Sequence, residues 1–220
     1  MKKVVLSLFV ILCICSCKNS SFTIHGLVEN KGMNGKTIFI KERINREWKI
    51  VDSTLVENQA FTFKGVSDTA KIAYLAYEFP AGKKVRQAFV LENGNITAAA
   101  DTSGFIVVKG TKQNDLLQTY QADKNTFNKK SEAFYNSHKD KVKTPEQELQ
   151  FSKEVEKLNQ EEVNIDKKFA TDHVNTLVGN HVFMNSFYGY NISEKEAIVN
   201  LMNVDTKSIK RIGNNCRYGG

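Results

Sequence analysis

Between residues 22 and 111 the apolar side chains recur with a period of two. Phe22, Ile24 and Val28 stand at alternate positions, and the same alternation surrounds Ile38 and Phe61. Alternation indicates β-strands with one buried face, and runs spaced by roughly eight to twelve residues are typical of an antiparallel β-sandwich or open barrel. The predicted strands cover residues 22–28, 37–41, 48–56, 61–64, 72–77, 85–92, 95–100 and 105–109.

The dipeptide Asn93-Gly94 lies between the strand-like runs 89–92 and 95–97. A two-residue type I′ turn needs positive φ at both central positions, which asparagine and glycine accept readily. The sequence therefore predicts a tight β-hairpin at this point.

After Thr111 the apolar side chains recur with the period of an α-helix, so a helical region is predicted over residues 112–213. Leu116, Tyr120 and Phe127 begin an apolar stripe on one helix face. Residues 144–147 read Thr-Pro-Glu-Gln, which is the pattern of a capping box with proline at the first helical position. Two long antiparallel helices are expected, packed on each other and along one seam of the sheet, and a coiled-coil arm is the alternative.

Beyond Asp172 the helical pattern becomes apolar on nearly all sides, which is typical of a buried helix. Residues 193–196 have the pattern of a second capping box, and Asp205 is expected to cap a last short helix that ends at Gly213. Residues 214–220 are predicted to form a flexible tail. The expected fold class is α+β, with an antiparallel β-sandwich or open barrel over residues 22–111 followed by the helical region.

The amino terminus has the pattern of an export signal. Lys2 and Lys3 precede an apolar run over residues 4–14, and small or medium-sized residues then lead to Cys17. This order is that of a secretory signal peptide. It resembles the bacterial lipoprotein signal, in which the cysteine is diacylated and becomes the first residue. We therefore expect residues 1–16 to be a lipoprotein signal peptide and residues 17–21 to be a short tether from lipid to fold.

Two alternatives to the lipoprotein signal stay open. An ordinary signal peptide could be cut nearby, because Cys15 is an unusual residue two positions before the cleavage site. A permanent transmembrane helix is weaker, because spanning a bilayer takes about 20 apolar residues. Lys18 follows Cys17, and bacteria that read this position for inner-membrane retention use aspartate, so the outer membrane facing the periplasm is favoured.

The charge distribution argues against a nucleic-acid partner. The chain has 220 residues, with 31 lysines and arginines against 24 aspartates and glutamates. Basic and acidic residues are interleaved on nearly every segment, which is typical of solvated faces and not of a groove that follows phosphates. Once Cys17 is acylated, only Cys216 remains in the mature chain as a possible free thiol, so no internal disulfide can form.

Several fragments of catalytic motifs occur without the context that their chemistry needs. Residues 35–37 imitate the end of a phosphate-binding loop, but Asn30 stands where a glycine is needed and a strand follows instead of a helix. Asp52-Ser53 lacks a glycine elbow and a histidine partner, so a turn is the favoured interpretation. No Cys-x-x-Cys pair is present for thiol-disulfide exchange, and we predict no catalytic residue in this chain.

The histidines do not have the spacing of a metal site, and no metal or cofactor is expected. His173 and His181 are eight residues apart, which places them on about the same face if both belong to one helix. A shared site is therefore a hypothesis, with surface or core histidines as the alternative. The four histidines are His25, His138, His173 and His181.

A family resemblance is carried by short motifs in a fixed order. They lie at residues 22–28, 51–53, 61–65, 91–96, 108–114 and 172–179. Over about residues 20–213 the chain resembles the β-rich amino-terminal domain, of uncharacterised function, of bacterial lipoproteins that carry a thioredoxin-like thiol-disulfide oxidoreductase domain after it. The resemblance implies a cell-envelope location. It implies no catalytic residue here, because the cysteine pair of the redox domain is absent.

These observations favour a membrane-anchored, periplasm-facing lipoprotein that acts as a non-catalytic binding or accessory module. Its expected partners are the membrane, through the lipid on Cys17, and an unknown protein or small ligand. The first alternative is an interrupted or split thiol-disulfide oxidoreductase whose redox domain is missing from this chain. A ligand-binding sandwich unrelated to redox chemistry is the second.

Overall fold

The computed structural model describes residues 21–79, 82–139 and 144–203, and in these ranges it shows an α+β fold. Eight strands come first and four α-helices follow, as the sequence predicts. The strands are β1 Phe22–Val28, β2 Thr37–Ile44, β3 Glu47–Leu55, β4 Ala60–Gly65, β5 Lys71–Phe79, β6 Lys83–Leu91, β7 Gly94–Ala100 and β8 Ile106–Lys109. The helices are α1 Lys112–His138, α2 Pro145–Asp172, α3 Leu177–Asn185 and α4 Ile192–Leu201.

The strands form two four-stranded sheets that pack face to face as a sandwich. Sheet A has the order β4-β1-β7-β8 and sheet B the order β3-β2-β5-β6. The period-two positions face each other between the sheets, because alternate side chains of a strand point to opposite faces. Ile24, Ile40, Leu75, Phe89 and Ile96 are fully buried there, which confirms the predicted core positions.

The predicted hairpin at Asn93-Gly94 is wrong, because β6 belongs to sheet B and β7 to sheet A. The chain crosses between the sheets, and β7 pairs with β1 in parallel, in an otherwise antiparallel sandwich. The side chain of Asn93 binds the backbone of Ser67 instead, accepting from its N–H at 2.9 Å and donating to its carbonyl at 2.8 Å. Gly94 donates its N–H to the carbonyl of Ser21 at 2.9 Å and so starts the pairing with β1.

Helix α1 covers the outermost strand of both sheets on one side of the sandwich. The Asn114 side chain accepts from Val90 N at 2.8 Å and donates to Val90 O at 2.8 Å, as a neighbouring strand would. One turn later, Gln118 Oε1 accepts from Val108 N on β8 at 3.2 Å. Side-chain amides therefore bind both backbone groups of Val90 on the edge of β6 and the N–H of Val108 on the edge of β8, and open edges are a known route to aggregation.

A second hydrophobic core lies between the outer face of sheet B and the helices. It joins Val90 of β6 to Phe169 of α2, Val178 and Phe183 of α3, and Ile198 of α4. The short helix α3 is buried on several sides, as its apolar pattern predicts. Burial of this kind is the main source of helix stability in proteins.

The two long helices α1 and α2 contact each other, as expected. Farther from the sheet, the rings of Phe134 and Phe151 stack with their centroids 5.4 Å apart. The capping box of α2 is confirmed, because Thr144 N donates to Gln147 Oε1 at 2.9 Å and Gln147 N donates to Thr144 Oγ1. Among the described residues no helix is long and apolar enough to cross a membrane.

The second capping box begins two residues earlier than predicted. Asn191 caps α4, and its partner is Glu194; the two reciprocal hydrogen bonds measure 3.0 Å each. The Ser193–Glu196 assignment is wrong because an asparagine side chain caps a helix as well as serine does. The short helix expected after Asp205 and the tail at residues 214–220 lie outside the described residues.

We predict that Asn114→Ala lowers the free energy of unfolding by about 2 to 4 kcal/mol, because it leaves the buried N–H and carbonyl of Val90 without partners. Urea unfolding of the full chain, followed by circular dichroism, measures the change. Lys112→Ala, an exposed substitution in the same helical turn, is the control and should have little effect. Equal stabilities of the two variants would contradict the edge-capping role.

Candidate functional site

The two cysteines that the sequence singles out lie outside the described residues. Cys17 precedes Ser21, where the description begins, and Cys216 follows Asn203, where it ends. Lipidation of Cys17 and the free thiol of Cys216 therefore stay predictions. Ser21, four residues after Cys17, lies at one end of sheet A, beside Gly94.

The structure does not place His173 and His181 on one helix. His173 follows the last residue of α2, and the centre of its ring lies 4.6 Å from that of the Phe169 ring. His181 lies in α3, with its Nε2 3.0 Å from Asn185 Nδ2. The one-helix arrangement behind the shared-site hypothesis is wrong, because the chain turns between the two residues. Within the described ranges no three histidine, cysteine or acidic side chains are grouped to hold a metal ion.

The remaining histidines and motif fragments are also apart from one another. His25 lies on the exposed face of sheet A, and His138 packs against Phe134 at the end of α1. The predicted turn at Asp52-Ser53 is wrong, because both residues lie inside β3. Gly35 lies in the turn before β2, with φ 77°. A strand and not a helix follows it, so residues 35–37 do not form a phosphate-binding loop, as the sequence predicts.

A cluster of polar side chains is buried where α1, α2 and the end of α3 meet. Asp166 is its centre, with 8% of its surface exposed. It accepts hydrogen bonds from the Tyr120 hydroxyl at 2.9 Å and the Ser186 hydroxyl at 2.6 Å. Lys124 lies 3.1 Å from Asp166 and 2.7 Å from Glu162. The carboxylate is thus bound on both oxygens by neighbours within the fold.

Burial in this cluster keeps the tyrosines neutral. The pKa of Tyr120 is raised far above its ordinary value, chiefly by burial and then by the charge of Asp166. Burial and the same carboxylate raise the pKa of Tyr190 to about 12. Tyr120 therefore acts as a fixed hydrogen-bond donor, and the cluster holds three helical segments in register. The sequence gives one hint of it, since Glu162 occupies a position where the apolar stripe of α2 is interrupted.

The outer face of sheet B carries an exposed aromatic and cationic surface. The ring of Trp48 meets that of Tyr74 edge to face, with centroids 4.9 Å apart. The guanidinium of Arg86 lies 4.9 Å from the centre of the Trp48 ring, and that of Arg43 lies 5.8 Å from it. Cations at these distances are attracted by the electron-rich face of the indole.

This surface is accessible, and residues 41–50 carry four basic side chains against two acidic ones, Glu42 and Glu47. Trp48 is 38% exposed. Among the described residues, Arg43, Arg46 and Arg86 form no ion pair. We call the region the hairpin surface, because it surrounds the β2–β3 hairpin. On the outer face it carries Lys41, Arg43, Trp48, Ile50, Tyr74 and Arg86; Arg46 lies in the turn, and Ile44, Glu47 and Lys49 lie on the other face of the hairpin together with Glu42.

Sequence reasoning missed the hairpin surface because its members come from four strands. Trp48 opposes Arg43 in the β2–β3 register, whereas Tyr74 and Arg86 belong to β5 and β6. Only the strand order of sheet B makes these residues neighbours. The one available signal is that the only tryptophan of the chain stands between charged residues in a predicted strand.

The comparison with protein families agrees with the limits of this sandwich. Residues 22–117 match the family model described as a domain of unknown function, DUF4369. The match covers all eight strands and ends in α1 just after Asn114, the residue that caps β6. A search of curated proteins finds no match. The matching region is thus a β-rich domain of uncharacterised function.

We predict that Tyr120→Phe lowers the free energy of unfolding at neutral pH by about 1.5 to 3 kcal/mol, because the hydrogen bond to a carboxylate is lost. A tyrosine whose folded pKa is raised stabilises the fold below its unfolded pKa of about 10, and this contribution is lost as the pH rises further. The fall in stability above about pH 10 should therefore be shallower in Tyr120→Phe. Urea unfolding at several pH values measures both effects.

The control for this prediction is Tyr135→Phe, which removes a hydroxyl from a tyrosine that is 45% exposed. It should leave both the stability and its pH dependence unchanged. The assigned role of Tyr120 is contradicted if the two variants lose stability equally between neutral and alkaline pH.

Proposed function

We propose that this chain is a cell-envelope lipoprotein that is anchored through Cys17, with the outer membrane facing the periplasm as its location. In this proposal it is a non-catalytic binding or accessory module of the type that precedes thioredoxin-like domains in bacterial lipoproteins. The amino-terminal signal pattern supports the anchor, and the resemblance carried by the ordered motifs of the β-rich region is the basis for the family type.

The observation that carries the binding role is the state of the charges on the hairpin surface. Strand pairing holds Arg43, Trp48 and Arg86 in place, and among the described residues no acidic side chain forms an ion pair with either arginine. Guanidinium groups suit carboxylate and phosphate groups, because their donors form two parallel hydrogen bonds with either. The Asp166 cluster differs, since its carboxylate is bound by residues of the same chain.

A short tether would keep this domain close to the bilayer. Residues 17–21 can span at most roughly 17 Å when fully extended, because each residue adds about 3.4 Å. The first strand begins at Phe22, directly after the tether. A diacylated cysteine holds a protein stably where a single acyl chain does not.

The alternative is an interrupted or split thiol-disulfide oxidoreductase, and the family resemblance favours it as the second candidate. Disulfide reduction needs one thiolate to attack and a second thiol to resolve the mixed disulfide. With Cys17 acylated, Cys216 would be the one thiol of the mature chain. The second thiol of the reaction would then have to lie outside residues 17–220.

We predict that Cys17→Ala abolishes partitioning of the exported protein into the detergent phase, because the acyl chains are lost. Phase separation of cell extracts measures it, and circular dichroism of the purified variant should show an unchanged fold. Cys13→Ala, which removes a cysteine from the apolar run, is the matched control and should partition like the wild type. Detergent partitioning of exported Cys17→Ala would contradict the anchor.

We predict that the purified chain shows no disulfide-reductase turnover in an insulin-reduction assay with dithiothreitol. The physical reason is the thiol count, because Cys216 can form a mixed disulfide but has no second thiol to release it. Wild type, Cys216→Ser and a protein-free blank are compared. Turnover above the blank that disappears in Cys216→Ser would favour the oxidoreductase.

A further inference from the structure

We propose that the hairpin surface contacts the membrane and binds the anionic headgroups of its lipids. The domain is then held at the bilayer at two points, the lipid on Cys17 and the β2–β3 hairpin, which fixes its orientation. This inference deepens the proposed function and rests on the anchor at Cys17.

The first argument is position, since the hairpin and the amino-terminal end of the fold lie at the same end of the sandwich. The Ser21 carbonyl accepts from Gly94 N, and Gly94 follows Leu91, the last residue of β6, by three positions. Leu91 pairs with Lys71, the first residue of β5. The Lys71 amine in turn lies 2.8 Å from the carboxylate of Glu42, near the hairpin turn.

The second argument is that the end of the hairpin extends beyond its neighbour in the sheet. Strand β2 pairs with β5 only at residues 39–41, whereas its pairing with β3 continues to Ile44 opposite Glu47. The turn residues Asn45 and Arg46 have φ of 51° and 70°, as a tight two-residue hairpin turn requires. The end of the hairpin is therefore free to meet a surface.

The third argument is the chemistry of the exposed side chains. Ile44 is 40% exposed, Ile50 60% and Val51 48%, beside Trp48. Tryptophan is enriched at the level of lipid headgroups, and lysine and arginine near a membrane are attracted to anionic lipids. The hairpin also holds Glu42 and Glu47, but its four basic side chains leave an excess of cations beside these apolar side chains. This combination fits an interface that is both anionic and partly apolar.

Two other occupants fit this surface less well. Residues 204–220 contain Lys207, Lys210, Arg211 and Arg217 against one acid, Asp205, so the chain's own carboxyl-terminal segment is repelled by the cations. Pairing of a second copy along the edge of β3 is hindered by the irregular register between β2 and β3, which is a common protection of sheet edges. An acidic peptide meets the cations but not the exposed isoleucines.

The test uses the full chain, extracted in detergent and reconstituted into vesicles of phosphatidylcholine alone or mixed with phosphatidylglycerol. Trp48 is the only tryptophan, so quenching of its fluorescence by brominated lipids reports contact between the hairpin and the bilayer. We expect roughly twofold stronger quenching in the vesicles with phosphatidylglycerol. The difference should vanish in about 1 M salt, where the screening length falls to about 3 Å.

The hairpin variant is Arg46→Asp with Lys49→Glu, since aspartate tolerates the positive φ of position 46. It should reduce quenching in the mixed vesicles to the level found with phosphatidylcholine. The matched control is Lys31→Glu with Lys36→Glu, which reverses two exposed lysines at the opposite end of the sandwich and should change nothing. Arg46→Asn with Lys49→Gln, which neutralises the charges without reversing them, should show an intermediate loss.

Equal quenching in both kinds of vesicle, or equal loss in the hairpin and control variants, would overturn the membrane contact. So would a shift of Trp48 emission on adding polyglutamate without an effect of vesicles, which points to an acidic peptide. A concentration-dependent dimer that the hairpin variant abolishes would assign the surface to a second copy instead.

Flotation of the vesicles reports the anchor separately from Trp48 quenching. If Cys17→Ala floats like the wild type with vesicles of phosphatidylcholine alone, while the charge-dependent quenching persists in the mixed vesicles, the anchor is wrong and the hairpin contact is supported. If the wild type floats and Cys17→Ala does not, but Trp48 is not quenched, the anchor is supported and the hairpin contact is wrong. A wild-type chain that floats with neither vesicle contradicts both.

Discussion

The pairing of the Asn114 amide with both backbone groups of Val90 is the contact on which the two halves of this fold depend. It ends sheet B without a further strand and sets the position of α1 along β6. From that position Gln118 reaches β8 and Gln121 reaches the carbonyl of Ala88. The helices that follow then cover the part of the outer face of sheet B that β5 and β6 form, and they build the second core there. The family match, which continues to residue 117, includes this contact.

Features that depend on neighbouring residues could be predicted from the sequence. The eight strands and the two long helices follow from the period of their apolar side chains, and Thr144 caps α2 through a pattern within four residues. The partners of β7 could not be predicted in this way. Asn93-Gly94 is compatible with a hairpin turn, and only the bond of Asn93 to the distant Ser67 shows why the chain crosses to the other sheet.

The Asp166 cluster and the hairpin surface were both missed because their residues are far apart in the sequence. The two differ in whether their charged groups already have partners. Asp166 meets Tyr120 across 46 positions of the chain, and Trp48 meets Arg86 across three strand connections. In the first cluster each oxygen of the Asp166 carboxylate is bound, and burial strengthens such bonds. In the second the cations face solvent and keep their capacity to bind. The inward cluster therefore serves the fold, whereas the arginines of the outward one form no ion pair within the described residues.

The direction of α1 has a consequence for how far the protein reaches. The helix starts beside the end of the sandwich that holds Ser21, and it passes first Val90 and then Ala88, so it runs away from that end. Its 27 residues are about 40 Å long at 1.5 Å per residue. With the hairpin end against a bilayer, the far tip of the paired helices stands up to about 40 Å above the lipid. In the proposed orientation, the height of that tip is set by the length of the helix, and it fixes how far from the lipid surface another molecule would have to lie to touch the tip.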